Sequence, residues 1–297
     1  MTAVLRPEEV TAAAQLACLL EASAPKPGNV TPTAGFHDAR YEDYLASAIA
    51  IGPAIAAAGA QPLGATIRAA VAATSRWVPS NTNLGIVLLL APLARAALQP
   101  GREPLRTRVS VVLATTTVLD TREAYAAIRL ASPAGLGRVA EQDVASEPTV
   151  TLREAMALAA ERDAIAREYA TDFATTFEVG HPALRRALAA GLGWSDATLE
   201  TYLTLLAAAP DTHIERKLGA EAAADVQRSA RTVLERGGVR TPAGRDAIAA
   251  LDGDLRDPRN TRNPGVTADL TAAALFAALL EDGWRRRGEE GDTHDRP

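Results

Sequence analysis

The stretch SAPKPGNVTP, residues 23–32, confines Lys26 between two prolines and follows it with Gly28 and Asn29. Proline fixes its own φ and keeps the residue before it out of the αR region, so Lys26 is set in extended backbone. Gly28 allows a close backbone approach to a ligand, and a lysine held this way suits a phosphate contact. The same residues also suit a plain helix stop, with Lys26 answering the helix dipole. Just beyond, in GFHDARYEDY, His37, Asp38 and Asp43 could supply an acid, a base or magnesium ligands.

Three more breaks of this kind interrupt apolar segments. PSNTNLG, residues 79–85, places Asn81, Thr82, Asn83 and Gly85 at the start of a very apolar helix. One cap needs only one of them, and exposed amides at a positive helix end make an anion site. PDTHIERKLG, residues 210–219, has Asp211 and Thr212 as caps, His213 in the first turn, and Arg216 three residues further on, able to clamp a phosphate. RNPGVTADL, residues 262–270, is a turn and helix start. Thr267 is the expected cap, and Asn263, Gly265 and Asp269 gather at the mouth. Each break has a bland structural reading. Four of them in one alanine- and leucine-rich chain point to a shared pocket built from helix termini.

The elements carrying these breaks read as helices. The hydrophobic fraction is 47%, mostly alanine and leucine, with 4% aromatics, a composition that favours helix over strand. The chain reads as all-α, a single compact domain of about ten helices over residues 1–286, ending in a charged, disordered tail at 287–297. Val10, Ala14, Ala17 and Cys18 share one helical face. Further helices are expected over 41–60, 67–77, 82–98, 121–130, 152–177, 182–190, 196–209, 220–236, 242–251 and 267–284. VSVVLATTTV, residues 109–118, is β-branched, but an isolated strand would lack a partner, so it reads as buried helix. The irregular stretch 131–150 resembles a functional loop, and RDAIAREY, residues 162–169, a solvated helix face. The apolar segments 87–98 and 270–280 suit either a core or a homodimer interface.

Composition also narrows the function. A net charge of −5 argues against general nucleic-acid binding. No apolar run reaches the length of a membrane span. The start MTAVLRPEEV lacks the features of a signal peptide. The single cysteine, Cys18, excludes an intrachain disulfide framework. A cytoplasmic protein is expected.

Together, KPGN with the later G-x-H-D, SNTNLG, D-T-H-x-x-x-x-x-G and NPGVTADL resemble, in order, the triphosphoribosyl-dephospho-CoA synthase family, from residue 23 to about residue 280. PAGLGRVAEQDV and EAMALAAERDAIAREY look like a branch associated with tetrahydromethanopterin-linked one-carbon metabolism. The resemblance implies an all-helical transferase that moves a 5-triphosphoribosyl group from ATP to the 2'-hydroxyl of 3'-dephospho-CoA and releases adenine. On that footing Lys26 and Arg216 would hold phosphate, with Gly28, Asn29, Thr82, Gly85, Gly265 and Asp269 completing the nucleotide site. Asp38, Asp43 and Asp211 are candidate magnesium ligands. Asn81, Asn83 or Asn263 would assist the leaving adenine, and Asp38, Asp211 or His213 would be the base, with His37 beside them. The citrate-lyase branch reads N-T-H-K-G where this chain has Asn83 and Leu84 in place of the histidine and lysine, and Asp38 stands one place early. These departures leave the acceptor open, a precursor of methanopterin or methylofuran included. A nucleotide-binding helical protein without turnover also stays open.

Overall fold

The computed structural model describes residues 5–133 and 141–284, with Gly137 and Val139 between them. In chain order the helices are α1 (Pro7–Ser23), α2 (Tyr41–Ala50), α3 (Gly52–Ala56), α4 (Leu63–Thr74), α5 (Leu84–Leu98), α6 (Leu105–Ala114), α7 (Val118–Ala131), α8 (Leu152–Ala159) and α9 (Ala164–Ala170). A π-helical turn, Thr175–Gly180, leads into α10 (His181–Ala189), α11 (Trp194–Ala208), α12 (Thr212–Leu218) and α13 (Ala220–Glu235). A 3-10 turn, Gly238–Arg240, precedes α14 (Pro242–Leu255) and α15 (Gly265–Asp282). Among the described residues there is no strand, only an isolated antiparallel bridge between Thr31 and Ala34. The all-α expectation holds.

Two helices make the centre. On α5, Val87, Leu89, Leu90, Leu93 and Ala94 are wholly buried, and on α15 so are Ala272, Ala273, Leu275, Phe276 and Ala277. Helices apolar on every side belong inside a core, and α1 packs against both. The segments 87–98 and 270–280 are therefore core. A second apolar cluster joins α11 to α14 through Leu199, Tyr202, Leu203, Val226, Val233 and Leu251.

Four readings need correction. The helix expected over 41–60 breaks at Ile51, where Pro53 opens α3. The helix expected over 152–177 falls into three pieces. Asp163 caps α9 through the N–H groups of Ile165 (2.9 Å) and Ala166 (3.0 Å), and Asp172 and Phe173 take positive φ before the π-helical turn. Buried Glu168 then accepts from the Thr175 and Thr176 N–H groups, each at 2.8 Å. RDAIAREY is not a solvated face: Ile165, Ala166, Glu168 and Tyr169 are buried. The β-branched run 109–118 is helical through Ala114, and Thr117 then caps α7 by accepting from the Asp120 N–H (3.3 Å). The charged tail at 287–297 and the centre of the 131–150 loop lie outside the described residues. No described helix is long and apolar enough to cross a membrane.

Candidate functional site

A cavity of about 610 Å³ opens where α5, α12 and α15 begin, walled by α1, α9 and the chain after α7. Twelve of the expected site residues line it. Asn29, His37 and Asp38 come from the segment after α1, and Asn81, Thr82, Asn83 and Gly85 from the entry of α5. His213 and Arg216 come from α12, and Asn263, Gly265 and Asp269 from the entry of α15. Lys26, Gly28, Asp43 and Asp211 are not part of its lining.

Those four have other duties. The Lys26 ammonium is 3.0 Å from Glu21 Oε1, with the two side chains only 1% and 5% exposed. It also donates to the Glu21 and Ala24 carbonyls. A direct phosphate contact is thus replaced by a buried ion pair. Gly28, at φ +73°, donates its N–H to Asp252 Oδ1 at 2.8 Å, and a Cβ there would stand 2.8 Å from Leu255 Cβ. The close approach is to α14. Asp43 closes the first turn of α2, accepting from the Arg40 N–H at 2.8 Å. Asp211 is buried and accepts from the His213 and Ile214 N–H groups with one oxygen, and from the Thr267 N–H and hydroxyl with the other. It ties α12 to α15, which leaves neither oxygen for a metal or a substrate proton. Thr267 accordingly serves in the first turn of α15 rather than as its cap, which is Pro264.

The helix mouths themselves are partly committed and partly open. At α5, Asn81 Oδ1 accepts from the Leu84 N–H (3.1 Å), Thr82 and Ser47 hydroxyls meet at 2.5 Å, and the Asn83 amide donates to Thr74 Oγ1 (3.1 Å). Ser80 Oγ and Asn263 Oδ1 are buried without a hydrogen-bond partner. Asp269 makes no hydrogen bond or ion pair among the described residues, and its Oδ2 lies 2.1 Å from where a Cβ on Gly85 would stand. Only glycine at position 85 leaves that carboxyl its place. Burial first, then the nearby Glu21, Asp211 and Asp163 carboxylates, push the Asp269 carboxyl well above its ordinary range, and Arg216 only partly opposes them.

The cationic side of the cavity is built by Arg162, Arg216, Lys217 and Arg259. Arg216 is 2.7 Å from Asp163 Oδ2, and Lys217 donates to the Asn260 carbonyl at 3.3 Å. His213 sits with Nδ1 2.3 Å from where a Cβ on Gly265 would stand. Burial, then Lys217 and Arg216, push its imidazole down to about 3, so it is a neutral and weakly basic ring. His37, at the rim, shares a hydrogen bond with the Asn260 amide (3.0 Å) and lies 3.8 Å from Asp38.

The profile of the ATP:dephospho-CoA triphosphoribosyl transferase (CitG) family matches residues 7–288. The chain belongs to this family. A protein of Stutzerimonas stutzeri assigned as a 2-(5''-triphosphoribosyl)-3'-dephosphocoenzyme-A synthase is 38% identical over 116 residues, 39% of each chain. A Pseudomonas savastanoi protein assigned the same name is 32% identical over 174 residues, 57% of each chain. The alignments thus span from two fifths to under three fifths of those relatives' length. A solved structure from Archaeoglobus fulgidus, assigned as a triphosphoribosyl-dephospho-CoA synthase, superposes with a TM-score of 0.64 at 30% identity, over 81% of this chain and all of that one.

Within this CitG-family chain, sequence reasoning missed Glu21, Arg162, Asp163, Lys217 and Arg259 at the cavity. Glu21 had a signal: it continues the stripe Val10, Ala14, Ala17 and Cys18 at helical spacing, where a carboxylate is out of place unless paired. Arg162 and Asp163 had none, because the break between α8 and α9 carries no proline or glycine. No three His, Cys, Asp or Glu side chains are grouped for a metal among the described residues. A magnesium ion carried by a polyphosphate needs only one or two protein carboxylates. Of the three expected ligands, Asp38 alone lines the cavity, and its exposed carboxylate fits that modest requirement.

Proposed function

We propose that this protein is an ATP-dependent transferase that moves the 5-triphosphoribosyl group of ATP to the 2'-hydroxyl of 3'-dephospho-CoA and releases adenine. One observation carries the reading: in a chain of the CitG family, the cations Arg216, Lys217 and Arg259 and the open helix mouths face one cavity. Arginine forks and helix N-termini together suit a triphosphate. Asp38 would hold a magnesium ion against the phosphates, and that ion would offset their charge. The names of the relatives point to dephospho-CoA rather than to a precursor of a one-carbon carrier.

Cleavage at C1' of the ribose passes through an oxocarbenium-like state. The leaving adenine would be held by hydrogen bonds, and Asn263, which lines the cavity, is the candidate for one of them. Asn81 and Asn83 are already engaged at the α5 entry. The test is to incubate the protein with ATP, magnesium and dephospho-CoA and follow free adenine chromatographically. Stoichiometric adenine and a triphosphoribosylated dephospho-CoA are expected. Bound ATP with no adenine released would overturn the reading.

A further inference from the structure

Two carboxylates line the inner wall of the cavity and a cation stands behind one of them, and that asymmetry assigns chemistry. Glu21 projects from α1, almost fully buried, with Oε1 held 3.0 Å from the Lys26 ammonium. Its other oxygen has no protein partner among the described residues, and the side chain lines the cavity. Asp269 reaches the same cavity from α15, wedged against Gly85, and has no cation of its own. The helices bearing them pack directly on one another.

We propose that Glu21 and Asp269 are the proton-transfer pair of this cavity, with Glu21 taking a proton from the acceptor hydroxyl and Asp269 giving one to the leaving base. Lys26 is the positioning residue that distinguishes the two. A carboxyl facing other carboxylates without a cation favours its protonated form, which suits Asp269 to the acid role and leaves the base role to Glu21, the carboxyl held beside an ammonium. The charged and titratable groups around Asp269 agree: Cys18 and Glu21 from α1, Tyr44 from α2, Asp163 before α9, Asp211 before α12 and Arg216 from α12. Only Arg216 among them is cationic, and it is already paired with Asp163.

This deepens the transferase reading and rests on it for the identity of the bonds. The bond from C1' to the adenine nitrogen breaks, its electrons go to adenine, and Asp269 supplies the proton that makes adenine neutral. The acceptor oxygen bonds to C1' and its proton passes to Glu21. Transfer of that proton from Glu21 to Asp269 restores both groups. Two carboxyl groups in unlike environments divide acid and base roles in this manner in glycoside hydrolysis.

The test has two arms. In the ligand-free protein at neutral pH, infrared difference spectra between wild type and Asp269→Asn should show a protonated-carboxyl band belonging to Asp269; its absence overturns the assignment whatever the enzyme does. In adenine release, Glu21→Gln and Asp269→Asn should each lower kcat by about 10²–10⁴-fold, the usual share of acid–base catalysis, with KM for ATP nearly unchanged. Lys26→Met should lower kcat and move the pH profile, while Lys26→Arg retains most activity. If Lys26→Met does not fold, the double variant Glu21→Gln/Lys26→Met removes both charges and should turn over no more slowly than Glu21→Gln alone. A raised KM for ATP with kcat intact in the lysine variants would return Lys26 to a phosphate role and sink the proposal. Wild type that releases no adenine defeats the transferase reading instead, and the infrared arm still decides the state of Asp269.

Discussion

The turn at Lys26–Asn29 and the turn at Asn263–Gly265 look alike in sequence, each combining proline, glycine and asparagine, yet the fold uses them oppositely. In the first, the lysine ammonium, the glycine N–H and the asparagine amide each have a protein partner. Lys26 pairs with Glu21, the Gly28 N–H goes to Asp252, and the Asn29 amide and the Pro27 carbonyl both meet Tyr202 Oη, at 2.9 Å and 2.7 Å. That turn fastens α1 to α11 and α14. In the second, Asn263 Oδ1 and the Asp269 carboxyl are left without partners beside an open cavity. Even the two lysines of the chain divide this way, Lys26 buried in an ion pair and Lys217 on the cavity wall. Polar groups whose hydrogen bonds are complete stabilise a fold; those left incomplete are available to a ligand.

This contrast can be broken most forcefully at Lys26. Lys26→Ala leaves Glu21 buried without its cation and should cost about 3–5 kcal/mol of stability in urea unfolding. ATP binding by the folded fraction should stay near wild type; a large loss of affinity would place Lys26 on the cavity side of the comparison. Next in size is the pH dependence at His213. Its folded-state pKa, near 3, lies below the ordinary 6.5. The stability gained from keeping the ring neutral is thus present above about pH 6.5 and drains away as pH falls toward 3, at most about 5 kcal/mol in all. His213→Asn should flatten that part of the stability curve, measured by unfolding at stepped pH. A curve with unchanged slope would show the ring to be solvated.

Gly85→Ala should displace Asp269 by collision and lower adenine release about 10²-fold, as misplacement of a reacting group by an ångström does. Its unfolding midpoint should move less than that of Lys26→Ala. Gly28→Ala, strained at positive φ and crowded by Leu255, should cost about 2 kcal/mol of stability with catalysis preserved. Activity lost out of proportion to stability there would dissolve the distinction between the two turns. Smallest is Asn263→Ala, which removes an atom with no protein partner. It should leave the melting temperature nearly unchanged and weaken ATP binding by about 1 kcal/mol, one hydrogen bond, read by calorimetry.

Much of this was legible along the chain. Composition favoured helix over strand, and the positions of α5, α11, α13 and α15 follow the apolar periodicity closely. Three of the four polar breaks lie at helix entries, those of α5, α12 and α15, and KPGN lies just past the end of α1. Their uses were less legible, because a proline–glycine break announces only that a helix stops. The stripe of α1 flags Glu21 as needing a partner, but that Lys26 turns inward to supply it is visible only in the packed structure. The break at Asp163 escaped notice because its cap and arginines sit in a sequence that reads as continuous helix, and buried Glu168 read as surface for the same reason.

The amino-acid sequence by itself determined the all-helical architecture, the very apolar central helices and the family, since these depend on composition, periodicity and motif order. Tertiary structure decided which charges are paired and which face the cavity. Many of the hydrogen bonds that commit a polar group arise from contacts between residues far apart in the chain, 56 positions for Asp211 with Thr267 and 224 for Gly28 with Asp252. Burial sets what each such contact is worth, and burial exists only once the helices have packed.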